Sequence, residues 1–213
     1  MQPRGSHATD VDVPDANADE TTILDGGTQR YEIESVRGRG GFATTYRARV
    51  ISSDERVLIK ELRLDRADSW KAVELFEREA ATLAKLSHPG IPKLIEYFSS
   101  NPAGTNTQGP VRFFLVQELV EGPTLAESIA AHGPMPAERA ERLLRDLLGV
   151  LAYLHQQTPP VVHRDITPNN IILATDGRPR LVDFGSVQNS VRGGRSLPGP
   201  QWWGRRDICP WSK

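Results

Sequence analysis

The sequence has little cysteine, no long apolar run and almost no net charge. Its one cysteine, Cys209, excludes an internal disulfide and is typical of a reducing compartment. The longest run of large apolar residues, near Phe113–Val116, is far shorter than the about 20 residues that span a bilayer. A formal net charge of −1 provides no broad basic surface for nucleic acid or anionic lipid. We therefore predict a cytoplasmic protein with no nucleic-acid partner and no membrane segment in this chain.

Residues 1–30 contain many acidic residues and few large apolar ones. Such a segment buries too little apolar surface to offset the entropy lost on ordering. We therefore predict that residues 1–30 form a disordered acidic tail.

From Tyr31 onward, short segments of alternating apolar residues are separated by turn residues, which is typical of strands. The predicted strands are Tyr31–Arg37, Thr44–Val50, Arg56–Leu62, Lys93–Ser99 and Arg112–Glu118. Between the third and fourth strands, apolar residues recur at helical spacing and predict an amphipathic helix. After Gly122 a long helix is predicted, with one apolar face formed by Leu143, Leu147, Val150, Leu151 and Leu154. A β-rich half followed by a helical half predicts an α+β fold with two lobes.

Four short motifs follow one another along the chain. They are the glycine-rich segment Gly38–Ala43, Lys60 at the end of an apolar strand, His163–Asp165 with Asn170 shortly after it, and Asp183–Gly185. Each motif alone has a simpler explanation, such as a flexible hairpin, a surface lysine or a common turn. Their shared order is hard to obtain by chance. The combination resembles the protein kinase family, of the eukaryotic-like (Hanks-type) serine/threonine type found in bacteria.

The resemblance extends from about Tyr31 to about Gln188. It implies a small lobe and hinge at residues 31–120 and a partial large lobe at residues 121–188. It also implies ATP and Mg²⁺ as cofactors, and transfer of the γ-phosphate of ATP to serine and threonine hydroxyls of proteins.

The resemblance assigns catalytic and metal-binding roles to five residues. Lys60 would contact the α- and β-phosphates, and Glu79 on the intervening helix would hold the lysine in place. Asp165 would orient the acceptor hydroxyl and accept its proton. Asn170 and Asp183 would bind magnesium. A solvated helix acid remains the alternative for Glu79, and a lysine extending toward solvent remains the alternative for Lys60.

The resemblance places the nucleotide between the glycine-rich hairpin and the hinge. Glycine allows backbone N–H groups to approach phosphates without obstruction by a Cβ. The implied nucleotide contacts are Gly38, Gly40, Gly41, Phe42, Ala43, Thr45, Lys60 and the backbone of Glu118 and Val120.

The chain departs from the family pattern at several positions. Ala43 replaces the third glycine, Thr45 replaces a valine, and Leu58 replaces the alanine above the adenine ring. Thr167 replaces a lysine that faces the γ-phosphate. Ala43, Leu58 and Thr167 favour the alternative of a non-catalytic nucleotide-binding pseudokinase or scaffold, whereas the intact third and fourth motifs favour an enzyme.

The residues after about Gln188 do not resemble a kinase. They contain three of the four tryptophans and no helical or strand period. Translated from the third base of the Gln201 codon, permitted codons give Val-Val-Gly-Thr-Thr-Gly-Tyr-Met-Pro-Met-Glu-Gln. This is similar to the segment after the activation loop of bacterial kinases. We therefore predict that residues 189–213 are an out-of-frame tail, that activity is impaired, and that the apolar face of the long helix is left uncovered.

Two features concern phosphorylation. Thr21 and Thr22 lie in an acidic segment, similar to threonine sites that bacterial kinases phosphorylate for recognition by phosphothreonine-binding modules. An ordinary solvated segment is the alternative. Arg164 is the residue type that, in this family, pairs with a phosphate on the activation loop.

Overall fold

The computed structural model describes residues 22–40, 43–63, 69–100 and 111–189. The first half of the described chain is a sheet with one helix. Its strands are β1 (Thr22–Asp25), β2 (Arg30–Arg39), β3 (Ala43–Val50), β4 (Arg56–Arg63), β5 (Leu94–Ser100) and β6 (Arg112–Glu118). Among the described residues these strands form one antiparallel sheet in the order β1-β2-β3-β4-β6-β5. Helix α1 (Ser69–Leu83) connects β4 to β5.

The second half is helical with short strand pairs. Its elements are α2 (Leu125–His132), α3 (Ala137–His155), β7 (Val161–Val162), β8 (Ile171–Leu173), β9 (Pro179–Leu181) and β10 (Gln188–Asn189). Strand β8 pairs with β9, and β7 pairs with β10. A capping box starts α2, because the Thr124 side chain accepts from the Glu127 N–H while Glu127 accepts from the Thr124 N–H. The β-rich half followed by a helical half confirms the predicted α+β class.

Two apolar clusters hold these elements together. One covers a single face of the sheet and includes Val57, Ile59 and Val116. The larger cluster joins α1 to the helical half and includes Leu83, Leu154 and other fully buried side chains. Because this second cluster contains residues of both halves, it fixes the sheet against α3 and the short strands.

The prediction of a disordered tail at residues 1–30 was wrong for residues 22–30. Strand β1 pairs with β2, and the following turn is anchored to Glu96 on β5. Glu96 accepts hydrogen bonds from the Thr28 N–H at 2.6 Å, the Thr28 hydroxyl at 2.9 Å and the Tyr31 hydroxyl at 2.6 Å. Composition missed this anchor because the hydrogen-bonding partner is far along the chain. Residues 1–21 lie outside the described residues.

The predicted exposure of the apolar face of α3 was wrong for Val150 and Leu154, whereas Leu143, Leu147 and Leu151 are partly buried. Val150 and Leu154 are fully buried, and Gly90 packs so closely that a Cβ on it would lie 2.4 Å from a Val150 methyl. On α3 the exposed leucines are Leu144 and Leu148, whose exposed fractions are 57% and 54%. The loop after α1 and strands β7 and β9 therefore cover the part of α3 that carries Val150 and Leu154.

The predicted out-of-frame tail falls almost entirely beyond the described part of the chain. The described chain ends with the backbone of β10, and residues 190–213 lie outside it.

Candidate active site

The side chain of Lys60 contacts carboxylates from two other parts of the fold. On β4, its Nζ lies 2.6 Å from Oε1 of Glu79 on α1 and 3.0 Å from Oδ1 of Asp183 after β9. Glu79 is buried, with only 4% of its side chain exposed. A buried carboxylate is stable when it is paired and hydrogen-bonded. The structure therefore brings together three residues that the sequence predicted to act on one nucleotide, and Glu79 is not a solvated surface acid.

The charges of this cluster stabilise one another. Burial alone would lower the pKa of Lys60, but the nearby carboxylates of Glu79 and Asp183 outweigh it, so that the pKa is raised. Burial would raise the pKa of Asp183, but the Lys60 ammonium and the Gly185 N–H outweigh it, so that the pKa is lowered. Lys60 and Asp183 are consequently both charged at neutral pH.

Asp183 is held in a left-handed backbone conformation, with φ 64° and ψ 80°. Its side chain accepts from the Gly185 N–H at 3.4 Å and caps a short 3₁₀ turn, while Phe184 is buried. A non-glycine residue at positive φ costs on the order of 1–3 kcal/mol and is typical of functional sites.

Arg164 also has positive φ, at 69°, and its side chain is exposed. Among the described residues no carboxylate pairs with Arg164.

The segment between β7 and β8 carries Asp165 and Asn170. The amide nitrogen of Asn170 donates to the Asp165 carbonyl at 2.9 Å and to its carboxylate at 2.8 Å. The Val182 N–H donates to the Asn170 carbonyl at 2.9 Å. Because Val182 precedes Asp183, this bond places the two predicted metal ligands on adjacent segments.

His163 anchors the same segment, a role that the sequence analysis missed. Its Nε2 lies 3.2 Å from the Val182 carbonyl, its Nδ1 lies 3.3 Å from the Asp165 N–H, and its ring packs edge-on against Phe184. A ring that donates at Nε2 and accepts at Nδ1 is neutral. The only sequence signal was the position of His163 within the third motif.

We expect His163 to make the protein less stable in mild acid. Burial lowers the pKa of His163, and the Val182 carbonyl and nearby carboxylates offset this only in part. The unfolded chain binds the proton near the ordinary value of about 6.5, so the free energy of unfolding should fall as pH decreases below that value. Burial also lowers the pKa of His88, which acts in the same direction.

Urea unfolding at several pH values between 5 and 8 measures this effect. His163→Gln should reduce the pH slope of the unfolding free energy, whereas His155→Gln, at an exposed position on α3, should leave it unchanged. An identical slope in wild type and His163→Gln would contradict the assignment.

The glycine-rich hairpin is only partly described. The described residues include Gly38, Gly40, Ala43 and Thr45, whereas Gly41 and Phe42 lie outside them. The Gly40 N–H donates to the Ala43 carbonyl at 2.8 Å and closes the turn between β2 and β3. Thr45 on β3 lies directly opposite Lys60 on β4. The hairpin therefore extends over the same part of the sheet as the lysine.

The predicted hinge follows β6. The Glu118 N–H donates to the Lys93 carbonyl at 2.9 Å, and the Glu118 carboxylate accepts from the Lys93 N–H at 3.3 Å. The Glu118 N–H is therefore already engaged within the protein. Val120 and Gln117 are buried, and Gln117 on β6 pairs in register with Leu58 on β4.

The residues present fit magnesium bound together with a polyphosphate. Asp183 provides a carboxylate, and Asn170 provides an amide oxygen, since its amide nitrogen is already bonded to Asp165. Magnesium prefers oxygen ligands and commonly takes one or two from the protein and the rest from phosphates and water. Within the described residues no group of three or more His, Cys, Asp or Glu side chains forms a metal cluster.

Comparisons with known proteins agree with this arrangement. Residues 31–203 match the protein kinase domain family. This match extends beyond Gln188, where the sequence analysis placed the end of the resemblance. The chain is 40% identical over 171 residues to serine/threonine-protein kinase C of Synechocystis, a match that covers 76% of this chain and 30% of that protein. It is 35% identical over 156 residues to PrkC of Bacillus subtilis, covering 73% of this chain and 22% of that protein.

A third relative is PknB of Mycobacterium leprae, 33% identical over 158 residues, with 74% of this chain and 24% of that protein covered. The chain thus spans less than a third of the length of these relatives. In the described residues no helix is long and apolar enough to cross a membrane. On the family match and the identities to three bacterial serine/threonine kinases, the chain belongs to the protein kinase family.

Proposed function

We propose that this chain binds Mg·ATP and transfers the γ-phosphoryl group to serine or threonine hydroxyls of proteins. The observation that carries the proposal is the contact of Lys60 with both Glu79 and Asp183. Such a cluster holds a cation at one fixed position, where it can meet phosphate oxygens, and it leaves a carboxylate beside it for a metal ion. The printed names of the relatives, serine/threonine-protein kinases, support this class of reaction.

In this proposal each residue has one task. Lys60 donates to phosphate oxygens, and Glu79 keeps its ammonium in place. Asp165 accepts the proton of the acceptor hydroxyl as its oxygen bonds to the γ-phosphorus and the bond to the ADP oxygen breaks. Asn170 and Asp183 would hold magnesium, which when bound neutralises charge on the phosphates. The residues themselves act by position and charge.

A second candidate is a nucleotide-binding pseudokinase. Thr167 favours it, because this partly buried residue takes the place of a lysine that would face the γ-phosphate. Its carbonyl accepts from the Asn170 N–H at 2.9 Å, so the segment keeps its shape while lacking that positive charge. We propose on this ground that transfer is slower than in kinases with the lysine. ATP binding without transfer to any protein would favour the pseudokinase.

We propose that the chain acts in the cytoplasm on protein acceptors. We also propose that a phosphate on the activation loop would pair with the exposed Arg164 and order that loop. Thr22 is exposed at the start of β1, whereas Thr21 lies outside the described residues. An exposed strand end beside acidic residues is accessible to phosphorylation and to a phosphothreonine-binding module.

Thermal stabilisation by nucleotide tests ATP binding. A ligand present at about 100 times its Kd stabilises the folded state by about 2.7 kcal/mol. Mg·ATP should raise the melting temperature of the wild-type chain, and Lys60→Met should remove most of this rise. Lys71→Met, at an exposed position on α1, is the matched control and should respond like wild type. Equal stabilisation of wild type and Lys60→Met would rule out the proposed site.

A further inference from the structure

An ion pair joins the sheet to the segment after the hinge. A guanidinium nitrogen of Arg47 on β3 donates to Oε2 of Glu121, which directly follows Val120. The Arg47 Nε and the Glu121 Oε1 are buried and make no hydrogen bond among the described residues. Glu121 Oε1 also lies 3.9 Å from a guanidinium nitrogen of Arg56 on β4. The closer pair with Arg47 is partly withdrawn from water. Loss of Glu121 would therefore leave the Arg47 guanidinium poorly satisfied, and loss of Arg47 would leave Glu121 with only the longer contact to Arg56.

Arg47 lies on the same sheet face as the predicted nucleotide contacts. Side chains two residues apart on a strand share a face, so Arg47 and Thr45 project from the same side of β3. Thr45 is opposite Lys60, and Arg47 is opposite Leu58. Arg47 therefore lies two residues beyond Thr45 on the same face of β3, on the side nearer the hinge.

The segment that directly follows Glu121 is anchored to the helical half. The next residue, Gly122, lies so close to Leu173 on β8 that a Cβ would be 2.1 Å from the Leu173 carbonyl oxygen. The Leu173 N–H also donates to the Pro123 carbonyl at 2.9 Å. The ion pair therefore connects β3 of the sheet to a segment that is held against β8 of the helical half.

We propose that the Arg47–Glu121 ion pair positions the sheet over the hinge and thereby sets the width of the adenine end of the nucleotide cleft. Arg47 and Glu121 are positioning residues in this role and need not touch the nucleotide. The proposal rests on the proposed function, since it concerns the fit of the same nucleotide. Without the pair, the sheet and hinge would sample wider separations, and part of the binding free energy would be spent on closing them.

The test compares variants by their Kd for Mg·ATP and for adenosine. Arg47→Met retains an aliphatic side chain but no charge, and Glu121→Gln retains the shape of the carboxylate. Each should weaken Mg·ATP and adenosine binding about two- to fivefold, the size expected for a partly exposed ion pair. Binding of Mg·tripolyphosphate should be unchanged, because the pair lies at the adenine end of the cleft.

Two controls separate positioning from a general loss of stability. Arg49 is on the same strand as Arg47 and forms ion pairs with Glu32 and Asp54. Arg49→Met removes these pairs and should leave both Kd values at the wild-type level. The double variant of Arg47→Met with Glu121→Gln should bind no more weakly than the weaker single variant. Both changes remove the Arg47–Glu121 pair, and Glu121→Gln alone already removes the contact with Arg56.

The possible results are distinct. Absence of Mg·ATP binding in the wild-type chain would overturn the proposed function and this inference together. If wild type binds in a Lys60-dependent way, three results would each overturn the inference alone. These are unchanged Kd values in the single variants, an equal loss in Arg49→Met, and single losses that multiply in the double variant.

Discussion

Replacing Asp165 by asparagine should slow phosphoryl transfer roughly 10²–10⁴-fold, the usual contribution of a general base. Asparagine keeps an oxygen that can accept the hydrogen bond from the Asn170 amide, now 2.8 Å from the carboxylate, so the local geometry should persist. It cannot accept a proton from the acceptor hydroxyl. Binding of Mg·ATP should remain within about twofold of wild type, because Lys60 and Asp183 are untouched.

Radiolabel transfer from ATP to a generic protein substrate measures the rate, and a nucleotide titration measures the affinity. Asp146→Asn, which removes an exposed carboxylate on α3, is the matched control and should leave both unchanged. Transfer by Asp165→Asn at the wild-type rate would contradict the role of Asp165. Transfer absent in wild type, with Lys60-dependent ATP binding intact, would instead establish the pseudokinase alternative.

Strand and helix types could be predicted where the sequence pattern is local. Strand β6 has the predicted limits of Arg112 and Glu118, and β4 is longer than predicted by one residue. Strand β1 was missed because its four residues have no distinctive pattern and depend on pairing with β2 and on the buried Glu96. An acidic residue that stabilises a distant turn looks, in sequence alone, like any other surface acid.

The candidate site was partly accessible from sequence. Motif order selected Lys60 and Asp183, but only the structure shows that these residues, 123 positions apart, are in hydrogen-bonding contact. The anchoring role of His163 depends on the backbone carbonyl of Val182, and backbone groups leave no trace in residue identity. The Arg47–Glu121 pair was invisible for a related reason, since charged residues on a strand and in a loop carry no spacing that links them.

The leucines of α3 allow a sharp test of the packing of the helical half. Replacing Leu154 by alanine should lower the free energy of unfolding by about 2–5 kcal/mol, because the side chain is fully buried and its removal leaves a cavity as well as losing apolar burial. Leu144→Ala is the matched control on the same helix. More than half of Leu144 is exposed, and alanine has the highest helix propensity, so the change should be within about 0.5 kcal/mol.

Urea unfolding followed by circular dichroism measures both variants, and an unchanged m-value would show that the transition has kept its character. A loss of the size expected for Leu154→Ala is a large part of the roughly 5–15 kcal/mol that stabilises a typical domain. Such a loss requires that α3 is packed against the core by the loop after α1 and by β7 and β9, as the structure shows for Val150 and Leu154. Equal small losses in both variants would mean that this face is not buried in solution, and the uncovered face predicted from the sequence would then be correct.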